Sequence, residues 1–482
     1  MMELIANYIN GKFILPISKS YLDVYEPATG QVYAQVPDSN QKDIEIAVKA
    51  ATNAFHEWSE SKIEYRSGIL HSIADELEKR LDELAEYESR DTGKPISLAR
   101  SVDIPRAIAN FRFFAGYINN FENESELNSD ISSNFIYRSP LGVVGCISPW
   151  NLPLYLFSWK IAPALAVGNT VLGKPSEITP YTAFKLGEVC AAAGVPNGVL
   201  NIVHGSGQQT GDAIVRHPGV KAISFTGGTN TGEIIAKTAA PMLKKISLEL
   251  GGKNPAIVYA DCDYKKTLAA VVKSSFTNQG QICLSSSRIL IEKPIYDRFK
   301  TDFVKKVSEL KPEDPANDSS SFGALVSKEQ FEKIEFFINL IQEEGGEILT
   351  GGNSGNLNGR CENGWFFEPT VVSGLDNKSR VNQEEIFGPV VTLISFDGED
   401  DGVSIANDTV YGLSATIWTE DIEKANRTAR SLDSGVIWIN CWLVRDLRTP
   451  FGGMKQSGVG REGGMEVLNF FTEQKNICMS YR

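Results

Sequence analysis

LGVVGCISP (141–149), NTVLGKP (169–175), VLNIVHG (199–205), KAISFTGG (221–228) and KKISLELGG (244–252) are five short apolar runs, each closing on Gly, Pro or a polar turn. Between them stand LYLFSWKIAPALAV (154–167), TPYTAFKLGEVCAAAG (179–194), QQTGDAIVRHP (208–218) and TGEIIAKTAA (231–240), which read as helices, the second closing at Gly194. A strand covered on both faces must be apolar along its length, and strands alternating with helices mean βαβ units on a parallel sheet. The stretch from Leu141 to Gly252 is therefore expected to be α/β and doubly wound. Such folds bind ligands at the carboxyl ends of their strands.

Outward from this stretch the texture changes. Before about Tyr117, alternating strand-like runs precede amphipathic helices, and Pro105 suits the first turn of a helix from Arg106 to Tyr117. FENESELNSDISSN (121–134) is polar and aperiodic: a linker, or an excursion that pairs with another element. After Gly252 the alternation continues less regularly, with strand-like RILIEK, VVTLISF, SATIWT and GVIWIN. This gives two α/β lobes that meet near Gly251-Gly252.

The chain has 482 residues, a length that suggests two to four domains at roughly 100–200 residues each. Its 42% hydrophobic and 22% charged content is globular, and a net charge of −13 without a basic run argues against nucleic acid. Seven cysteines are scattered without CxxC spacing and four histidines without HExxH, so neither a disulfide framework nor a metal site is expected, and a reducing compartment, the cytoplasm, is. The uncharged stretch 139–159 is long enough to span a bilayer, but Pro140, Pro149 and Pro153 interrupt it. It is read as a buried strand, a turn and a helix start, with no membrane contact.

Several segments carry residue types suited to chemistry. FTGGTNTG (225–232) is a glycine-rich turn before a helix, suited to phosphate or merely tight; Glu233 stands where a P-loop needs lysine. Cys283 in GQICLSSSR is a nucleophile or a small buried apolar residue. Glu249 in LELGGKNP closes an apolar strand, as a general base or a strand-end partner of a lysine. Asn151, on a turn between two prolines, is an oxyanion donor or a turn former. Lys174 and Glu177 follow a strand, as a ribose-binding pair or a solvated one.

PWNLPL, GNTVLGKPSE, FTGGTNTG, LELGGKNP, GQICLSSSR, EEIFGPV and PFGGMKQSGVGRE occur in this order along essentially the whole chain. Together they resemble the NAD(P)-dependent aldehyde dehydrogenase superfamily. The resemblance implies a Rossmann-like NAD-binding domain (1–117 and 141–251), an α/β catalytic domain (252–455) and a small β oligomerisation arm (118–140 and 466–482). It implies Cys283 as nucleophile, Asn151 as oxyanion donor, Glu249 as the base for deacylation, and Lys160 and Glu473 as a proton relay. To NAD it assigns Ser148, Trp150, Lys174, Glu177, Gly227, Gly228, Glu385 and Phe387. Lys174 and Glu385 look like a ribose-binding pair, and Glu177 like the acid that takes the adenine ribose and repels a 2′-phosphate. Gly228 departs from the pattern, since many members carry serine there. A homodimer or homotetramer is implied.

Within the superfamily, DIPRAIANFRFFA, SPWNLPLYLFSWKIAPALA and NCWLVRDLRTPFGGMKQSGVGREGG resemble dehydrogenases of 2-aminomuconate and 2-hydroxymuconate semialdehydes. Arg106 and Arg445 fall where enzymes of hydrophobic aldehydes carry apolar pocket residues, and paired guanidinium groups suit a carboxylate. Arg112 and Arg448 are nearby alternatives. Tyr155, Trp159 and Phe451 are expected as apolar walls. The expected substrate is a small carboxylate-bearing semialdehyde: 2-aminomuconate 6-semialdehyde, with the 2-hydroxy analogue or succinate or glutarate semialdehyde as rivals. Betaine aldehyde suits two arginines poorly. The reading from another class is a non-catalytic binding protein that keeps the fold.

Overall fold

The computed structural model describes residues 3–481. Its first large sheet has eight strands. Five are parallel, in the order Lys245–Glu249, Val220–Thr226, Val143–Ile147, Thr170–Lys174, Leu200–Ile202. Every residue of Val143–Ile147 and Thr170–Lys174 is buried, which is why these runs show no polar alternation and why polar residues, Thr170 and Lys174, stand only at the ends of the second. Helices Pro153–Ala166, Tyr181–Ala192 and Thr229–Ala239 form the crossovers, and Gly194 takes a left-handed φ of 76° just past the second. The hairpin Asn7–Ile9/Lys12–Ile14 closes one edge. The short strand Gly458–Val459 closes the other, antiparallel to Lys245–Glu249.

From Val143–Ile147 the chain winds one way through Thr170–Lys174 and Leu200–Ile202, then the other way through Val220–Thr226 and Lys245–Glu249. The order reverses between Val143–Ile147 and Val220–Thr226. A crevice opens at such a point, because the two following loops diverge. Here those loops are 148–152 and 227–228.

The second sheet has seven strands, in the order Glu347–Thr350, Thr370–Ser373, Val390–Phe396, Arg288–Glu292, Pro255–Val258, Ser414–Trp418, Val436–Ile439. All pairings are parallel except that of Glu347–Thr350. The chain passes from Lys245–Glu249 of the first sheet to Pro255–Val258 of the second across Gly251-Gly252. The loop with Cys283 leads into Arg288–Glu292, and the segment 384–389 leads into Val390–Phe396. Carboxyl ends of the first sheet thus face amino ends of the second.

The polar segment 121–134 pairs with another element. Glu124–Asn128 and Ser132–Pro140 form a hairpin, and Thr472–Ser480 adds along its other side, from Thr472 opposite Pro140 to Ser480 opposite Ser132. Helix Ile104–Tyr117 begins with Pro105 in its first turn, as expected. The stretch SGILHSIADELEKRLDELAEYESRD (67–91), whose apolar residues keep helical spacing from end to end, falls in two helices, Ile63–Lys79 and Leu81–Thr92. They break at Arg80, whose guanidinium reaches Glu188 at 3.2 Å. No described helix is long and apolar enough to cross a membrane.

Candidate active site

A cavity of about 210 Å³ lies between the two sheets. Trp150 and Asn151 line it from the loop after Val143–Ile147, Gly227 and Gly228 from the loop after Val220–Thr226, and Leu250 and Gly251 from the end of Lys245–Glu249. Cys283, Gln330, Lys333, Glu385 and Phe387 line it from the second unit. The cavity therefore occupies the crevice that the switch point dictates.

Three successive residues before Cys283 hold left-handed backbone: Asn278 (φ 53°), Gln279 (φ 54°) and Gly280 (φ 69°). That turn presents Cys283 half-buried at the cavity. Asn254 clamps the loop, donating to the carbonyls of Cys283 (2.7 Å) and Ser285 (3.0 Å). Asn151 is buried, and its amide Nδ2 donates to the Gln281 carbonyl at 2.9 Å. A primary amide carries two N–H donors, so one remains for a ligand oxygen beside Cys283. Burial, then the nearby carboxyls of Glu249 and Glu385, push the Cys283 thiol up to about 12, while Arg445 pulls the other way. The resting thiol is protonated and needs a base.

Glu249 is buried with neither carboxyl oxygen hydrogen-bonded. Burial and then the charge of Glu462 raise its pKa well above the usual carboxylate range, against Lys160, Arg445 and Arg461. The expected relay of Lys160 with Glu473 is corrected here. Glu473 lies on the arm strand Thr472–Ser480, is largely exposed, and pairs with Lys245 at 3.3 Å. The acid that meets Lys160 is Glu462, at 2.7 Å with both groups buried. Ser224 donates to Glu462 (3.2 Å) and receives a bond from Lys160 (3.1 Å). The return strand explains this: Gly458 stands opposite Glu249, and the chain then brings Glu462 to face Phe451 in a bridge.

On the cofactor side Lys174 and Glu385, expected as a ribose-binding pair, hold different protein partners. Lys174 is buried and pairs with Glu177 at 2.6 Å, whose other oxygen accepts the Gly207 N–H at 3.0 Å. Burial alone would raise the Glu177 pKa, but Lys174 brings it below the usual value, so Glu177 is ionised. Glu385 instead accepts the Gly252 N–H at 2.8 Å, lining the cavity beside Cys283. Phe387, at φ 59°, meets Trp150 edge to face at 5.1 Å. Ser148 lies in the same loop as Trp150, with its hydroxyl buried and unpartnered. At Gly227 an added Cβ would strike the Phe225 ring at 2.4 Å, whereas at Gly228 it would meet nothing within 4 Å. Gly228 is the N-cap of helix Thr229–Ala239 and offers it no side-chain bond.

Arg445 lies between two rings, its guanidinium 4.4 Å from the Trp159 centroid and 4.2 Å from that of Phe451. Its Nη1 donates to the Tyr155 hydroxyl at 3.0 Å, and its Nη2 is buried without a partner. Arg106 sits over the other part of this group, 5.8 Å from the Tyr155 ring. Among the described residues neither arginine has an acidic partner, whereas Arg112 is held by Asp75 and Glu78 and Arg448 by Asp446. Cys283, Tyr155, Phe451, Cys441 and Trp442 belong to one hydrophobic cluster with Leu156, Ile282, Leu284 and Trp438, so the rings that Arg106 and Arg445 touch pack in the same cluster as the nucleophile. Tyr155, Trp159 and Phe451 thus all touch the Arg445 guanidinium, the first through its hydroxyl and the other two through their rings.

The sequence reading missed Glu462 and Lys94. Glu462 stands inside PFGGMKQSGVGREGG, where Lys455 and Arg461 draw the eye. Lys94 follows Gly93 and precedes Pro95, a lysine in a rigid turn; its Nζ donates to the Asn151 carbonyl at 2.9 Å.

A nucleophile loop and an amide donor at one cavity, with the buried acid Glu249 just before the cavity-lining Leu250 and Gly251, define an enzyme site for carbonyl chemistry. The chain matches the model of the aldehyde dehydrogenase family over residues 14–477, belongs to that family and is an aldehyde-oxidising oxidoreductase. It is 48% identical to a 2-aminomuconic semialdehyde dehydrogenase of Danio rerio, covering 99% of this chain and 98% of that protein. It is 45% identical to a 2-hydroxymuconic semialdehyde dehydrogenase of Pseudomonas sp. (strain CF600), covering 99% and 100%. A solved Staphylococcus aureus betaine aldehyde dehydrogenase in complex with NAD+ superposes with a TM-score of 0.95 at 37% identity, covering 98% of this chain and 94% of that one.

Proposed function

We propose that this chain oxidises a carboxylate-bearing semialdehyde to the acid with NAD, and that the substrate is 2-aminomuconate 6-semialdehyde. The 45% likeness to a 2-hydroxymuconic enzyme favours the hydroxy analogue as the second reading. The observation that carries the proposal is the buried, unpartnered Nη2 of Arg445, set by Tyr155, Trp159 and Phe451, of which Tyr155 and Phe451 pack in the hydrophobic cluster of Cys283. A buried guanidinium donor left unpaired is costly, and a carboxylate is the acceptor that relieves it. The quaternary ammonium of betaine aldehyde would be repelled there.

The chemistry follows from the residues. Cys283 loses its proton to a base and its sulfur bonds to the aldehyde carbon. The resulting oxyanion is held by the free Asn151 N–H and the Cys283 backbone N–H. NAD, when bound, supplies the acceptor for the hydride that leaves this carbon, and a thioester remains on Cys283. Glu249 takes a proton from the water that attacks the thioester, which releases the acid and regenerates the thiol. The Lys160–Glu462 pair next to Glu249 would pass that proton on. The residues present fit NAD. Gly228 leaves open space at a helix N-terminus suited to phosphate, and the ionised Glu177 suits ribose hydroxyls and disfavours a 2′-phosphate. Lys174, Ser148, Trp150, Gly227, Glu385 and Phe387 complete the proposed cofactor set.

We read the chain as three parts: residues 1–117 with 141–251 around the first sheet, 252–455 around the second, and 118–140 with 466–482 as the arm. The arm exposes Leu127, Ile131, Tyr137, Ile477 and Met479, which supports burial against further copies in a homodimer or homotetramer. A cytoplasmic setting suits a thiol nucleophile. The test is kcat/KM across 2-aminomuconate, 2-hydroxymuconate, succinate and glutarate semialdehydes and betaine aldehyde, with NAD and with NADP. Preference for a muconate semialdehyde with NAD is expected; preference for betaine aldehyde would overturn the reading. Cys283→Ala should abolish NADH formation, and an active variant would rule out Cys283 as the nucleophile.

A further inference from the structure

The turn that carries Asn151 is held from beneath by charges that the reaction does not consume. Lys94 and Asp103 are fully buried and form an ion pair. The Lys94 backbone is fixed on both sides: Gly93 ends helix Leu81–Thr92 at φ 73°, Pro95 follows, and the Ser89 hydroxyl donates to the Lys94 carbonyl at 2.6 Å. Its ammonium donates to the Asn151 carbonyl at 2.9 Å, where Asn278 of the cysteine turn also donates at 3.2 Å. Nearby, buried Glu88 accepts the Thr182 hydroxyl at 2.7 Å and, at 3.4 Å, the Leu154 N–H at the start of helix Pro153–Ala166. Asp103 ends the turn Ala99–Asp103, and Arg106 lies three residues on, in the first turn of helix Ile104–Tyr117.

We propose that Lys94 is a positioning residue for the Asn151 amide, and that its ion pair with Asp103 ties that amide to the helix that carries Arg106. The inference rests on the assignment of Asn151 as oxyanion donor. An oxyanion donor acts only if it is aimed before charge develops. The Asn151 side chain can rotate about its own bonds, and its aim is set at both ends: Nδ2 by the Gln281 carbonyl, the main chain by Lys94 and Asn278. The Lys94–Asp103 pair makes the same contact a spacer, since the helix of Arg106 cannot shift without moving the ammonium on Asn151. Aldehyde carbon and distal carboxylate are thereby referred to one buried charge. Apolar side chains would pack in this place but would not hold a carbonyl.

The test removes the pair without leaving a lone buried charge. Lys94→Met with Asp103→Asn is compared with Asn151→Ala and with the triple variant, by single-turnover NADH formation from a semialdehyde acid and from a neutral aldehyde. Burst amplitude counts the folded, competent sites. The pair variant should slow acylation per site by about 100-fold on both aldehydes, the loss expected for a misplaced oxyanion donor, with KM for NAD unchanged. Placed on Asn151→Ala it should add no more than about twofold, because both act through one group. If the pair variant acylates at the wild-type rate, or if the losses multiply, the inference falls while the site reading stands. If Asn151→Ala itself acylates at the wild-type rate, both fall. Should the pair variant not fold, Lys94→Gln with Asp103→Asn keeps neutral hydrogen-bonding groups in the same place and is expected to show the same loss at about tenfold, and a wild-type rate there overturns the inference.

Discussion

Arg445→Met separates carboxylate recognition from everything else Arg445 does. Methionine keeps an unbranched, polarisable chain between the Trp159 and Phe451 rings, now 4.4 and 4.2 Å from the guanidinium carbon, so the chamber keeps its walls. It removes three things: the bond to Tyr155, the positive field that lowers the pKa values of Cys283 and Glu249, and the unpartnered Nη2. The first two act on the enzyme whatever aldehyde is bound. Only the third distinguishes substrates. A charge-assisted bond from a buried donor contributes about 1.5–3 kcal/mol, or roughly 10- to 150-fold in kcat/KM. The assay is initial NADH formation with a semialdehyde acid and with a neutral aldehyde of similar length. The ratio of the two kcat/KM values should fall by about 10- to 150-fold, whatever common loss both show. Arg106 faces Tyr155 at 5.8 Å and is half-exposed, so Arg106→Met should move the same ratio less, by about fivefold. Equal losses on both aldehydes for Arg445→Met would refute carboxylate recognition at this site and leave its role as field and packing alone.

Glu249→Gln should release one equivalent of NADH and then stall, and sustained turnover would count against Glu249 as the base. The same variant has a stability signature. The folded carboxyl titrates above the unfolded value near 4.5 and so holds its proton longer, which makes wild-type stability decline as pH rises through that interval. The advantage of Glu249→Gln in unfolding free energy should therefore grow with pH over the interval, by at most about 1.4 kcal/mol per pH unit, and an advantage that shrinks would contradict the assignment. Glu462→Gln strips the partner from buried Lys160 and should cost about 3–5 kcal/mol in denaturant unfolding, whereas Glu473→Gln should be close to neutral in both stability and turnover. The reverse ranking would restore Glu473 to the site. Gly228→Ser has space for its side chain and adds an N-cap hydroxyl, so it should stabilise by a few tenths of a kcal/mol and tighten NAD binding, measurable by thermal shift with and without NAD; weaker binding would exclude phosphate at this turn.

The first sheet could be read from its own residues because burial on both faces forces a local signature. Val143–Ile147 is apolar throughout, Thr170–Lys174 is apolar between its two ends, and each crossover helix lies between its strands in sequence. The arm could not be read that way. Glu124–Asn128 is exposed along its length, so no apolar period marks it, and its partner across the hairpin, Ser132–Pro140, meets Thr472–Ser480 more than 300 residues on. Cys283, Glu249 and Asn151 could be listed as candidates, but only family resemblance chose among roles, since two distant loops and a strand end bring them together.

The misplaced relay acid shows where such reasoning fails. Glu473 and Glu462 are both acids near the carboxyl end, eleven positions apart, and neither has a neighbour in sequence that marks it as buried. What separates them is Gly458–Val459, a two-residue strand too short to leave a period of two. Its glycine sits at φ 159°, and a Cβ there would meet the Leu248 carbonyl at 2.3 Å. Close approach of two backbones is therefore the physical requirement, and it brings Gly458 opposite Glu249. Four residues later the chain can reach the interior beside Lys160; fifteen later, after helix Gly464–Phe470, it has left the sheet for the arm. A substitution that adds a side chain at Gly458 should thus unseat Glu462 from Lys160 without touching either, and should lower stability and the rate of deacylation together. If Gly458→Ala keeps the wild-type deacylation rate, the return strand is not what places the acid.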